Sequence, residues 1–112
     1  MHNYTEANHL EIRPDATFEK TGIAIDHFHE LVNYVKRNGR YLGGYDKNGI
    51  IKRFFLFDEI GLTLSYNYSR YEITADAFNP NKEKANNTLE LIVSKVELPE
   101  NHHLEPIAEF SP

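Results

Sequence analysis

Ile50-Ile-Lys-Arg-Phe-Phe-Leu-Phe57-Asp58-Glu59-Ile60-Gly-Leu-Thr-Leu-Ser-Tyr66-Asn67 carries two runs of strand-forming residues joined by a turn. Ile50 to Phe57 is dense in β-branched and aromatic residues, and both of its faces are apolar apart from Lys52 and Arg53, which fits a central strand. Asp58-Glu59-Ile60-Gly61 turns the chain. Leu62, Leu64, Tyr66 and Tyr68 then alternate with Thr63, Ser65 and Asn67, the period of two of a half-buried strand. Downstream, Tyr71, Ile73, Ala75 and Ala77 repeat that period against Arg70, Glu72, Thr74 and Asp76, so the two runs pair as a hairpin around Asn67 to Arg70. Upstream, Asp46-Lys47-Asn48-Gly49 places an Asn-Gly turn between two extended runs, because both positions of the tightest hairpin turn need positive φ.

One helix precedes these strands. Phe28, Leu31, Val32 and Val35 recur at the i, i+3, i+4, i+7 spacing of a single helical face, with Asp26 where an N-cap belongs. Lys36 and Arg37 meet the negative end of the helix dipole, and Gly39 supplies the residue after the last turn. Before the helix, Leu10 and Ile12, then Phe18, Ile23 and Ile25, read as a strand pair around Pro14-Asp15. After the strands, Asn79 to Asn87 reads as a polar loop that tolerates insertion, and Thr88 to Leu98 as an extended run whose change of apolar parity marks a bulge. Together these elements predict an α+β fold, an antiparallel β-sheet with one main amphipathic helix (about 26–38) packed on one face. Residues 1–98 form the single domain. Residues 99–112 are an acidic C-terminal tail or the start of a further element.

The 112 residues are too few for two full domains, and 40% hydrophobic content suits one soluble core. No Cys is present, which excludes a disulfide framework, a thiolate zinc site and a cysteine nucleophile. A net charge of −5 disfavours direct binding to nucleic acid. The chain shows neither a basic start with an apolar run nor an 18-residue apolar window, so a membrane role is not expected and a cytoplasmic location is.

Candidate chemistry is sparse. His27 and His29 point about 200° apart on a helix and cannot share a metal, although His27, Glu30 and Tyr34 line one flank. His102-His103 lacks a spaced third ligand, so no metal or cofactor is expected. No glycine-rich phosphate loop or nucleophile motif occurs, and no pair of carboxylates is marked out for acid–base work. Enzymatic activity is therefore not expected. Tyr41, Tyr45, Phe54, Phe55, Phe57, Tyr66, Tyr68, Tyr71 and Phe78 are more rings than so small a sheet can bury, and surface tyrosines suit protein recognition.

Thr21-Gly-Ile-Ala-Ile25, His27-Phe-His-Glu-Leu-Val-Asn-Tyr-Val35, Phe57-Asp-Glu-Ile-Gly-Leu-Thr-Leu64 and Leu89-Glu-Leu-Ile-Val93 occur in that order over about residues 17–98. This succession resembles small bacterial domains that accompany polymorphic or type VI secreted toxins and are taken to be their immunity proteins. Phe57, Asp58, Gly61 and Leu62 match the turn-and-strand signature of those domains, whereas the Asn79 to Asn87 stretch and the lack of a Phe-x-Gly ending depart from it. The resemblance implies a non-enzymatic inhibitor that covers a toxin by stoichiometric occlusion. Acid and tyrosine beside turns then suggest a partner with a basic surface, contacted through Asp46, Asn48, Asp58, Glu59, Tyr66, Tyr68 and Glu72. The rival readings are an accessory module of a larger bacterial or phage assembly, and a small hydrolase or metal-binding domain using His27, Glu30 or His102-His103.

Overall fold

The computed structural model describes residues 13–96 and 98. The elements run β1 (Ala16–Lys20), α1 (Ile25–Asn38), β2 (Arg40–Lys47), β3 (Ile50–Phe57), β4 (Ile60–Asn67), β5 (Glu72–Phe78) and α2 (Lys82–Ser94). The five strands form one antiparallel sheet in the order β1-β5-β4-β3-β2. The expected α+β class with an antiparallel sheet is what the chain adopts. Consecutive hairpins build β2 to β5, and α1 crosses the sheet to connect its two edge strands.

Alternation along the strands sorts the side chains. In β4, Ile60, Leu62, Leu64 and Tyr66 are all buried, and their register partners Phe57, Phe55 and Ile51 on β3 and Ala77, Ala75 and Ile73 on β5 complete one apolar face. Both helices lie on this face. Phe28, Leu31 and Val35 of α1 are buried over β2, β3 and β4, and α2 packs over β1 and β5. Ala16, Ala75 and Ala77 keep the floor beneath α2 low, which lets a helix rest close to the strands.

The second helix corrects the expected loop and bulged strand over Asn79 to Leu98. Ala85, Thr88, Leu89 and Ile92 are the buried residues of α2, spaced i, i+3, i+4, i+7. Sampled every second residue, a helical period changes parity, and this change is what imitates a bulge. Asn81 caps the helix, its side-chain oxygen accepting the Lys84 N–H at 3.1 Å. Asn79 in turn accepts the Asn81 N–H at 2.8 Å, so the polar stretch is a capping turn of a few residues.

Three local expectations also change. Helix α1 begins at Ile25 with Ala24 at the cap, and Asp26 acts from the first turn through its charge. Gly39 has an extended φ of −137°, and its requirement is space: a Cβ there would stand 2.8 Å from the Leu56 carbonyl oxygen. Strand β1 pairs with β5, while Leu10 and Ile12, the other half of the expected strand pair, lie outside the described residues along with residues 99–112. The Asn48-Gly49 turn has φ of 56° and 78°, both positive as its sequence requires.

Candidate functional site: the turn end of the sheet

The strand register divides the seven expected contact residues between opposite ends of the sheet. Asp46, Asn48, Tyr68 and Glu72 gather where the β2–β3 and β4–β5 turns meet. Asp58 and Glu59 form the β3–β4 turn at the other end, roughly 24 Å away along β3 at ~3.4 Å per residue. Tyr66 is not a surface residue at all: it is 1% exposed, and its hydroxyl donates to the Ile23 carbonyl at 2.6 Å. Its place in the alternation of β4 faces the helices, which is the physical reason that the expected contact role fails.

Tyr66 nevertheless supports the turn end from below. The Tyr68 ring, 47% exposed, meets the Tyr66 ring edge-on with centroids 5.6 Å apart. The Tyr68 N–H donates to the Gly49 carbonyl at 3.0 Å, which ties the two turns together. Ser69 donates from both its N–H and its hydroxyl to the Asn67 side chain, and the Arg70 N–H donates to the Asn67 carbonyl. Asp46 is held by Arg53 at 2.8 Å, and Glu72 by Arg70 at 3.4 Å. Burial pushes the Tyr66 phenol up to about 12, with the neighbouring Tyr71 and Tyr68 adding to the shift.

Sequence reasoning passed over Arg53 and Arg70 because a lone Arg beside a turn carries no signal until the register places an acid opposite it. It also passed over Leu42 and Leu56. Of the six large hydrophobic residues with substantial exposure among the described residues, Tyr41, Leu42, Tyr45 and Leu56 lie on β2 and β3, so that ribbon is the most apolar part of the described surface. Leu42 is the extra residue of a bulge between Tyr41 and Gly43, which explains its outward position.

At the far end, Asp58 and Glu59 have φ of 50° and 67° without being Gly or Asn. Glu59 reaches Lys84 at 3.4 Å, and its carbonyl accepts from the Asn79 amide at 3.2 Å. These contacts join the turn to the start of α2. His27 and Glu30, the rival catalytic or metal pair, stand 3.6 Å apart, and His27 Nδ1 is buried without a hydrogen-bond partner among the described residues. No third His, Asp or Glu joins them or any other such pair there, and His102-His103 lies outside the described residues.

The charge of the folded body differs from that of the chain. All twelve Lys and Arg fall within the described residues, whereas six of the seventeen acids, Glu6, Glu11, Glu97, Glu100, Glu105 and Glu109, fall outside them. The body is therefore close to neutral. None of the described helices is long and apolar enough to cross a membrane.

Fold and surface together define a two-layer α+β domain, two helices on one face of a five-stranded antiparallel sheet, with a braced tyrosine at its turn end. No family model, curated protein or solved structure matches the chain.

Proposed function

We propose that this domain is a non-enzymatic binding protein that recognises another protein with the turn end of its sheet. The observation that carries the reading is Tyr68: a half-exposed ring fixed from behind by a buried ring and tied through its N–H to the opposite turn. Such a side chain offers a large contact area with little conformational entropy left to lose on binding. Asn48, Ser69 and Arg70 in the two turns and Asp46 on the neighbouring ribbon add hydrogen-bonding groups at the same end of the sheet, a composition suited to protein contacts.

The partner class to test first is a secreted bacterial toxin, which the resemblance of the sequence supports, neutralised by occlusion. The acid surplus of the chain lies outside the described body, and the acids Asp46 and Glu72 at the turn end are already paired with Arg53 and Arg70. Recognition there relies on shape and hydrogen bonds more than on net charge.

Co-expression with any secreted toxin found encoded beside this chain tests the reading, with survival as the readout. The intact chain rescues growth, and Tyr68→Ala weakens binding at least about tenfold while the melting temperature changes little. Equal killing with and without the chain ends the immunity reading. Undiminished binding by a Tyr68→Ala, Asp46→Ala double variant removes the turn end as the site.

A further inference from the structure

The second face of the sheet has no element over it among the described residues, and its charges are sorted by strand. Alternation assigns Glu19 of β1 and Glu72 and Asp76 of β5 to this face, together with Lys52 of β3 and Arg40 and Lys47 of β2. The β1–β5 half therefore carries the acids, with Glu72 bridged by Arg70 at 3.4 Å, and the β2–β3 half carries the bases among Tyr45, Ile50, Phe54 and Leu56. Between them β4 contributes Thr63 and Ser65, two short side chains that keep the middle low. Ile50, Lys52, Ser65, Asn67, Glu72, Thr74 and Asp76 enclose a shallow concavity of about 230 Å³ there. Lys52 has no carboxylate partner among the described residues. On the acidic side, Asp76 is fixed by the Thr17 hydroxyl at 2.9 Å.

We infer that this open face binds a second copy of the chain, giving a symmetric dimer whose two-fold axis lies between the sheets and runs along β4. The charge pattern selects that axis. Rotation about it lays β5 of each copy over β3 of the other and β1 over β2, so Lys52 of each copy meets the acids on β5 of the other, while Glu19 stands over Tyr45. The alternative in-plane axis, perpendicular to the strands, lays β5 on β5 and β3 on β3 and opposes like charges. In register with Ser65 and Thr74, Lys52 enters the second copy between Glu72 and Asp76. Aligned sheets pack about 10 Å apart, a gap that interdigitating side chains fill.

The area sets the strength. Five strands at ~4.8 Å spacing and about 25 Å in length give a face of roughly 500 Å², so two copies bury about 1,000 Å². That is the lower limit of a specific interface, and the dimer is accordingly reversible and sensitive to salt. The turn end lies at the rim of this face, with Tyr68 directed to the helix side; Glu72 and its partner Arg70 adjoin both surfaces, whereas Lys52 belongs to the dimer face alone and Tyr68 to the recognition end alone.

Sedimentation of the full chain over a micromolar to millimolar concentration series tests the dimer. The expected result is a monomer–dimer equilibrium whose dissociation constant rises at least about tenfold from low to high salt. Lys52→Glu alone, and Glu72→Lys with Asp76→Lys, each weaken the homodimer by a similar factor, because like charges then meet twice. Mixing the two variants restores association to near the original affinity, since every reversed pair is then complementary; circular dichroism confirms that both remain folded.

A chain that stays monomeric throughout the series overturns the inference, whether the face is bare or covered by this chain's own terminal residues. A dimer indifferent to Lys52→Glu, or mixed variants that fail to associate, also overturns it. Tyr68→Ala leaves the dimer unchanged and Lys52→Glu leaves toxin binding unchanged, so the dimer and the recognition site can fail separately.

Discussion

Replacing Tyr66 by Phe removes one oxygen atom and tests how the turn end is held. The phenol donates to the Ile23 carbonyl inside a fully buried site, and Phe would keep the ring contacts with Phe28 and Tyr68 while leaving that carbonyl unpaired. Losing the bond and stranding the acceptor costs about 2 kcal/mol at neutral pH, or roughly 8–16 °C in melting temperature for a domain of this size.

The same oxygen gives a signature in alkali. The phenol ionises near 10 in the unfolded chain and is pushed up to about 12 in the folded one. Below pH 10 both states keep the proton, and the stability it confers is fully present. Between pH 10 and 12 the unfolded chain has released its proton while the folded chain retains it, so stability falls as pH rises, by about 3 kcal/mol across the window. Denaturant melts at a series of alkaline pH values should show that decline in the native chain and a shallower one in Tyr66→Phe. A variant as stable as the parent, with an unchanged alkaline slope, would refute the view that this hydroxyl anchors the strand to the start of α1.

Three further outcomes follow from the backbone. Glu59→Gly should stabilise the fold by about 1 kcal/mol in urea denaturation, because φ of 67° is strained for Glu and free for Gly, and the exposed ion pair with Lys84 that it loses is worth less. Gly44→Ala should destabilise by about 2 kcal/mol or more, since its Cβ would collide with the Lys52 carbonyl oxygen across the β2–β3 ribbon. Asn81→Ala should cost about 1 kcal/mol by uncapping α2, and hydrogen exchange should show the loss concentrated in the first turn of that helix.

The strands were legible because their signals are local. The β-branched run at Ile50 to Phe57, the Asn-Gly turn and the alternation of β4 and β5 each act within a few residues and match the structure, except that the expected four-residue turn is Asp58-Glu59 alone, with Ile60 and Gly61 already paired in β4 and Tyr68 beyond its end. Helix α2 was missed because its apolar residues are diluted by Asn86, Asn87 and Glu90 and because Ala85 and Thr88 scarcely read as core. Their burial depends on the low alanine floor of β1 and β5, a tertiary fact. Asp46, Asn48, Tyr68 and Glu72 were all within reach of a sequence reading, but their separation from Asp58 and Glu59 follows only from the register. Tyr66 and Tyr68 show the limit of parity: both fall on the same phase, yet β4 ends at Asn67, so one ring is core and the other reaches the surface.

That break at Asn67 also keeps the two proposed surfaces apart. Up to Tyr66 every second residue of β4 faces the helices, and the intervening Thr63 and Ser65 face the open side, so a substitution on one phase acts on the core and on the other phase acts on the dimer face. Beyond Asn67 the chain leaves the ladder, and the Asn67 side chain holds Ser69 and starts the turn that carries Tyr68. Tyr68 therefore takes its position from Tyr66 and Gly49, both independent of whatever packs on the open face. A domain organised this way can associate with itself through one side of a strand and still present a rigid recognition end. Lys52→Glu and Tyr68→Ala should accordingly behave as independent, additive perturbations.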